Sequence, residues 1–202
     1  MRFAPTTFRP LFGRVLAVVV VVIVVLGLAG LALSGDWNAL VRYSWLPLFV
    51  GVAVVAAYWL PSVSVAEHAV TVRNVLSTVV VPWPAIQRID TKYALTLYVP
   101  GGKVTAWASP APNRYASQVT MTQDARLAAR ESGGGGIRPG DLLDTPSGAV
   151  AYVIRRHWEE LRDDGVLDAG PESGSVQRTW HWGTIAALVL LLIATVAGIL
   201  LP

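Results

Sequence analysis

The side chains that could carry out chemistry are few, and their spacing does not assemble a catalytic or metal site. The chain has no cysteine, which excludes thiol nucleophiles, disulfides, iron–sulfur clusters and cysteine-based zinc sites. Its three histidines stand far apart, with His68 expected in a turn, His157 on an apolar helix face and His181 beside two tryptophans. A zinc-protease helix needs a second histidine four residues after His157, and none is there. We therefore predict no catalytic residue, no metal, no cofactor and no enzymatic activity.

Two further polar patterns are interpreted as structural. The glycine run at 133–136 is followed by isoleucine and arginine, whereas a phosphate-binding loop needs a lysine and a hydroxyl residue there. The paired carboxylates at 159–160 and 163–164 fall on the polar face of a predicted helix, within reach of Arg155 and Arg156, where ion pairs are ordinary. The glycine run therefore indicates a linker, and the carboxylates indicate a solvated helix face.

Three long apolar runs are the elements that must hold the rest of the chain in position. Of all residues, 53% are hydrophobic and 14% are charged, which is more apolar than a typical soluble domain. The runs at 15–35, 45–61 and 183–202 carry no charge, and about 20 helical residues cross a bilayer core of roughly 30 Å. We predict three transmembrane helices. The alternative for the first run is a cleaved signal peptide, but such apolar cores are shorter, about 7–15 residues, so an uncleaved anchor fits better.

Charged and aromatic residues beside these runs predict how the chain crosses the membrane. Arg2, Arg9 and Arg14 precede the first run, while the short loop at 36–44 balances Arg42 against Asp36. We expect a basic cytoplasmic tail at 1–14, an external loop at 36–44, a cytoplasmic domain at 62–165 and an external C-terminus, in a multi-pass protein of the cell (inner or plasma) membrane. The predicted anchors at the membrane interface are Arg14, Trp37, Tyr43, Trp45, Trp59, Trp180 and Trp182.

The formal net charge of +3 does not indicate a nucleic-acid partner. Residues 61–182 carry 12 basic and 12 acidic side chains, so the excess comes from the three arginines of the N-terminal tail. The net charge therefore indicates how the chain is oriented in the membrane. We expect the lipid bilayer as a partner and no nucleic acid.

Short alternating patterns between the second and third runs predict an antiparallel sheet or partial barrel. Short stretches in which apolar and polar residues alternate recur at 62–65, 70–74, 79–81, 85–90, 95–99 and 103–107, separated by turn residues. Residues 109–144, rich in glycine and proline, are expected to form a flexible insertion. The stretch at 166–182 is expected to be a linker.

A helix is predicted over residues 145–164. Thr145 is a good N-cap, Pro146 suits the first helical position and Gly165 suits the end. The predicted apolar face contains Val150, Val153, Ile154, His157, Trp158 and Leu161. Because this helix is amphipathic, we expect it to cap the sheet.

A strand array closed by one amphipathic helix resembles the pleckstrin-homology (PH) fold. The order of the motifs is similar to that of small bacterial membrane proteins with a PH domain of the low-molecular-weight-antigen-six type. The resemblance covers about residues 62–107, through short motifs. The residues that carry it are Arg73, Asn74, Pro82, Trp83 and Ile86, with Trp158 in the later helix.

The resemblance implies a non-catalytic binding or assembly module. The predicted fold class is an α+β membrane protein with a PH-like antiparallel sheet or partial barrel, a C-terminal amphipathic helix and three transmembrane helices. Phosphoinositide-binding PH domains resemble one another in a basic first hairpin, but here the turn reads Ala-Glu-His-Ala at 66–69, which argues against headgroup recognition of that kind. No phosphate contact is therefore assigned to Arg73, Arg88 or Lys92. The predicted function is scaffolding at the cytoplasmic face, through an unknown protein partner or self-association. The alternatives are an inner-leaflet lipid or small-ligand sensor and, more remotely, an accessory subunit of a transporter or enzyme.

Overall fold

The computed structural model of the chain describes residues 5–110, 146–165, 167 and 175–200. These residues combine helices with antiparallel sheet, and they divide into two compact units, a sheet unit and a helical unit. The helices are α1 (Leu11–Leu33), α2 (Trp37–Tyr43), α3 (Trp45–Tyr58), α4 (Pro146–Asp163) and α5 (Trp182–Leu200). The strands are β1 (Thr6–Phe8), β2 (Ser62–Val65), β3 (Ala69–Arg73), β4 (Ser77–Pro82), β5 (Arg88–Asp90), β6 (Ala94–Val99), β7 (Gly102–Pro110) and β8 (Gln177–Trp180).

The helical unit is built from α1, α2, α3 and α5, in which α3 packs against both α1 and α5. Within the described part of the chain, three helical stretches are long and apolar enough to cross a membrane: Leu11–Leu33, Trp37–Tyr58 and Trp182–Leu200. The first begins four residues before the predicted start, directly after Pro10. It ends at Leu33, before Gly35 with its positive φ of 75°.

The stretch at 36–44, predicted as a loop, is mostly helical. Asp36 caps α2, because its Oδ1 accepts a hydrogen bond from the backbone N–H of Ala39 at 2.9 Å. Only Ser44 then separates α2 from α3, which ends at Tyr58 rather than at residue 61. The acidic N-cap Asp36 is the recognisable start signal for this helix in the sequence.

The sheet unit contains two antiparallel sheets. The first has the strand order β1-β2-β3-β4-β8 and the second has the order β5-β6-β7. In β2, β3 and β4, valines two positions apart on each strand are buried, with Val63 opposite Val72 and Val72 opposite Val79. This alternation follows from the pleat, which sends successive side chains to opposite faces.

Two strands lie in segments that were predicted to contain none. β1 falls in the predicted N-terminal tail and pairs antiparallel with β2, where the hydroxyls of Thr7 and Ser64 are 2.9 Å apart. β8 falls in the predicted linker at 166–182 and forms the other edge of the same sheet. Both strands are short, three and four residues, so neither produces a recognisable alternation by itself.

Helix α4 closes the core of the sheet unit. Val150, Ala151 and Ile154 are buried, as are Leu95 and Leu97 of β6. The partly buried side chains of Val153, Trp158 and Leu161 pack against the same core. β7 extends to Pro110, and the rest of the predicted insertion, with the proposed cap Thr145, lies outside the described residues.

Candidate binding groove

Trp83 connects the segment that follows β4 to helix α4. Its side chain is 2% exposed, and its Nε1 donates a hydrogen bond to the carbonyl oxygen of Ala66 at 3.0 Å. The His157 ring meets the Trp83 ring edge-on, with centroids 4.8 Å apart and planes at 70°. Pro82 ends β4, and a 3-10 turn, Trp83–Ala85, leads to the buried Ile86. Pro82, Trp83 and Ile86 therefore have a structural role.

Arg73 and Asn74, the other two residues of the PH-like motif before α4, lie elsewhere in the chain. Arg73 ends β3 opposite Ser62 and Thr78, whereas Pro82 lies opposite Ala69 at the start of β3. Four residues of strand separate these two ends, a distance of about 13 Å. The backbone N–H of Asn74 donates to Ser77 O at 2.9 Å in the turn before β4. The motif residues thus do not form one site.

A groove runs between β5 and α4 in the sheet unit. It consists of two adjoining cavities of about 220 Å³ and about 310 Å³, which share Ile86, Gln87 and Trp158 in their walls. We call it the β5–α4 groove. Its other wall residues are Pro84, Arg88, Ile89, Arg155, Glu159 and Leu167.

Trp158 offers a hydrogen-bond donor beside this groove. Its Nε1 is shielded from solvent and has no acceptor among the described residues. The guanidinium of Arg162 lies 5.6 Å from the centroid of the Trp158 ring. A shielded N–H without an acceptor is costly, so a bound carbonyl group would relieve that cost.

β5 provides an unpaired strand edge along the groove. β6 pairs with one edge of β5, and in the described sheet no strand pairs with the other. The Arg88 guanidinium is held 4.1 Å from the centroid of the Tyr98 ring and 3.6 Å from the Asp90 carboxylate. With Arg155 and Glu159 opposite, the walls carry two positive charges and one negative charge. An open edge of this kind can add a further strand.

A small ionic cluster lies on α4 next to the groove. Glu160 accepts a hydrogen bond from Arg156 Nε at 3.2 Å, and its Oε2 lies 3.4 Å from His157 Nδ1. The hydrogen bonds from His157 and then Arg156 lower the pKa of Glu160. The same carboxylate raises the pKa of Arg156. These contacts are largely exposed, so they orient the helix surface and contribute little to stability.

Among the groove residues, Ile86 and Trp158 belong to the predicted PH-like motif. The helical pattern places Arg155 and Glu159 on a solvated helix face, and nothing in the sequence marks Gln87 as a site residue. Their place in the wall depends on how α4 docks beside β5, for which the local pattern contains no signal.

The three histidines do not come together. His68 is exposed in the turn between β2 and β3, and His157 is buried in the core of the sheet unit. His181 belongs to the helical unit, where its Nδ1 lies 3.2 Å from Val75 O. Among the residues that the structure describes, no three histidines or carboxylates are grouped so that they could hold a metal.

The predicted membrane anchors lie at or near the ends of the apolar helices. Arg14 is in the first turns of α1, and its guanidinium lies 5.4 Å from the Trp59 ring centroid, where Trp59 caps α3. Trp37 and Trp182 begin α2 and α5 with exposed side chains. The remaining anchors are Tyr43 at the end of α2, Trp45 at the start of α3 and Trp180 at the end of β8.

Two antiparallel sheets with a capping helix form a PH-like domain. Residues 60–157 match the family model described as Bacterial PH domain, from just before β2 to His157 in α4. The chain therefore contains a bacterial PH domain over residues 60–157. PH domains are generally non-catalytic binding modules. Comparison with curated proteins and with solved structures found no match.

Proposed function

We propose that this protein is anchored in the cell membrane by three helices, and that its cytoplasmic PH domain binds an extended segment of a partner protein. The observation that carries the proposal is the unpaired edge of β5 beside the shielded N–H of Trp158. A peptide added to β5 would gain main-chain hydrogen bonds, and one of its carbonyl groups could accept from Trp158.

The pairing of β1 with β2 supports the proposed topology. β1 precedes α1 and β2 follows α3, yet the two strands are neighbours in one sheet. Segments that share a sheet lie on the same side of a membrane, so the chain between them would cross an even number of times. Two crossings, by α1 and by Trp37–Tyr58, satisfy this condition. The arginines before α1 favour the cytoplasm for that side.

A protein segment is a better candidate than a phosphoinositide headgroup. The β2–β3 turn contains Glu67 and His68 in place of the lysines and arginines of a phosphate-binding hairpin. Arg88 is already engaged by Tyr98 and Asp90. Inner-leaflet lipid sensing therefore remains the second candidate, without a specific observation that favours it.

The proposal can be tested by site-specific photo-crosslinking in native membranes. A photoreactive amino acid would replace Gln87, an exposed side chain in the wall of the groove, and the crosslinked peptide would be identified by mass spectrometry. The matched control position is Lys103, which is exposed on β7 and is absent from the groove wall. We expect one continuous partner segment to crosslink at position 87 and not at 103.

The captured segment, made as a synthetic peptide, should then bind the full-length chain in nanodiscs. Trp158→Phe removes the Nε1–H and retains an aromatic ring. We expect it to weaken binding about 2- to 12-fold, the equivalent of one neutral hydrogen bond of about 0.5–1.5 kcal/mol. A crosslinked peptide from a second copy of this chain would identify self-association. Equal crosslinking at positions 87 and 103, or unchanged binding by Trp158→Phe, would contradict the proposal.

A further inference from the structure

We infer a second binding site, for the headgroup of an amine-bearing phospholipid such as phosphatidylethanolamine, at the end of the helical unit opposite residue 14. A cavity of about 640 Å³ lies between α2, the start of α3 and the last turns of α5. Its walls include Asp36, Asn38, Arg42, Trp45 and Gly198. The inference rests on the proposed anchoring in the membrane, and it is independent of the β5–α4 groove.

Arg42 is held in a defined position in this cavity. Its Nε donates a hydrogen bond to the carbonyl oxygen of Gly198 at 3.0 Å, which joins residues 156 positions apart in the sequence. Its guanidinium lies 5.7 Å from the centroid of the Tyr43 ring. Gly198 permits this contact, because a Cβ there would overlap the backbone oxygen of Arg42. The arginine is therefore fixed at its inner end and half-buried.

The terminal nitrogens of Arg42 remain available for an anion. A guanidinium has five N–H donors, and the contact with Gly198 uses the one on Nε. In the part of the chain that the structure describes, the other four have no acceptor. Two parallel N–H groups match two oxygens of a phosphate, so a phosphate diester is the expected anion.

Asp36 provides the complementary negative charge. It lines the same cavity, and its Oδ1 accepts from Ala39 N–H to cap α2. Among the described residues Asp36 and Arg42 do not form an ion pair with each other. A zwitterionic headgroup would place its phosphate on Arg42 and its ammonium on Asp36. Trp45 and Tyr43 flank the cavity at the helix ends, the level at which aromatic side chains meet lipid headgroups.

The test is native mass spectrometry of the full-length chain in a nonionic detergent. Extraction of cell membranes with alkaline carbonate comes first, and release of the chain there would contradict the membrane anchoring rather than the site. We then expect one tightly retained phosphatidylethanolamine per chain. Arg42→Gln should weaken its binding at least about tenfold, because it removes charge-assisted hydrogen bonds. Arg9→Gln, which removes an exposed arginine outside the cavity, should change binding less than about twofold.

Asp36→Asn tests the contact with the ammonium group of the lipid separately from the contact with its phosphate. Asparagine is also a good N-cap, so the variant keeps α2 intact. We expect it to weaken phosphatidylethanolamine and to leave phosphatidylglycerol, which has no ammonium group, unchanged. Equal effects of Arg42→Gln and Arg9→Gln would overturn the site, and so would displacement of the lipid by millimolar inorganic phosphate alone. Equal effects of Asp36→Asn on both lipids would overturn the assignment of an amine-bearing headgroup.

Discussion

Gly198 should be the glycine of the apolar helices that is least tolerant of substitution. In Gly198→Ala, the added Cβ would overlap the carbonyl oxygen of Arg42, and Trp45 Cδ1 would lie only 3.5 Å away. The obstacle is backbone, which cannot rotate aside as a side chain can. α5 would therefore have to move away from α2 by on the order of 1 Å.

The expected cost follows from three contributions. Overpacking of this kind costs about 1–3 kcal/mol. The displacement also stretches the 3.0 Å hydrogen bond from Arg42 Nε, a charged donor, and loses about 1.5 kcal/mol. The higher helix propensity of alanine offsets about 1 kcal/mol. We expect Gly198→Ala to lower the free energy of unfolding by about 1.5–3.5 kcal/mol.

Alanine substitutions at the other glycines of the apolar helices serve as controls, because a Cβ there would meet progressively closer neighbours. A Cβ at Gly27 or Gly30 of α1 would meet nothing within 4 Å, so alanine there should be neutral or stabilising by up to about 1 kcal/mol. At Gly51 it would make an ordinary contact, 3.5 Å from Val24 Cγ2. At Gly13 it would lie 3.2 Å from the carbonyl oxygen of Tyr58, so Gly13→Ala should fall between these cases and Gly198→Ala.

The assay is reversible unfolding of the full-length chain in mixed micelles by increasing SDS, followed by far-UV circular dichroism. The free energy of unfolding should decrease in the order Gly27→Ala and Gly30→Ala, Gly51→Ala, Gly13→Ala, Gly198→Ala. If Gly198→Ala unfolds within about 0.5 kcal/mol of Gly27→Ala, the close contact between α5 and α2 is wrong. The position assigned to Arg42 would then be wrong as well.

Two further predictions concern the sheet unit and the crossing of the membrane. Because folding lowers the pKa of Glu160, its stabilising effect is present above the ordinary value of 4.5 and disappears as the pH falls below it. Glu160→Gln should therefore reduce the hydrogen-exchange protection of α4 slightly at pH 7, and a difference that persists at about pH 3 would contradict this reasoning. Because the chain has no cysteine, single-cysteine variants report sidedness directly. A membrane-impermeant maleimide should label Asn38→Cys in intact cells and Lys103→Cys only after permeabilisation, and the reverse pattern would refute the proposed orientation.

The elements that the sequence predicted well are those with a strong local pattern. The strand at 70–74 and the apolar face of the helix at 145–164 both follow a simple alternation or helical period. The structure places Val70 and Val72 in the core, and likewise Val150 and Ile154. The PH-domain resemblance, drawn from the motif around Trp83, is confirmed by the family match.

Short elements and sites formed from distant residues could not be predicted in this way. β1 and β8 are too short to show a period, and their pairing is decided by sheet edges made elsewhere in the chain. The contact between Arg42 and Gly198 spans 156 positions, and a lone glycine in an apolar run has no signature. The β5–α4 groove depends on the docking of α4, which local propensity does not determine.

The place of β1 also sets the order in which the protein can assemble. The hairpin of β2 and β3 closes a turn of only three residues and can form as soon as it is made, whereas Thr7 must find Ser64 across a 57-residue separation. That separation contains the whole of α1, α2 and α3. The N-terminal strand must therefore wait until these helices have been synthesised before its partner exists. Pairing of β1 with β2 is therefore a late folding event. It can occur only after α1, α2 and α3 have brought the two strands together.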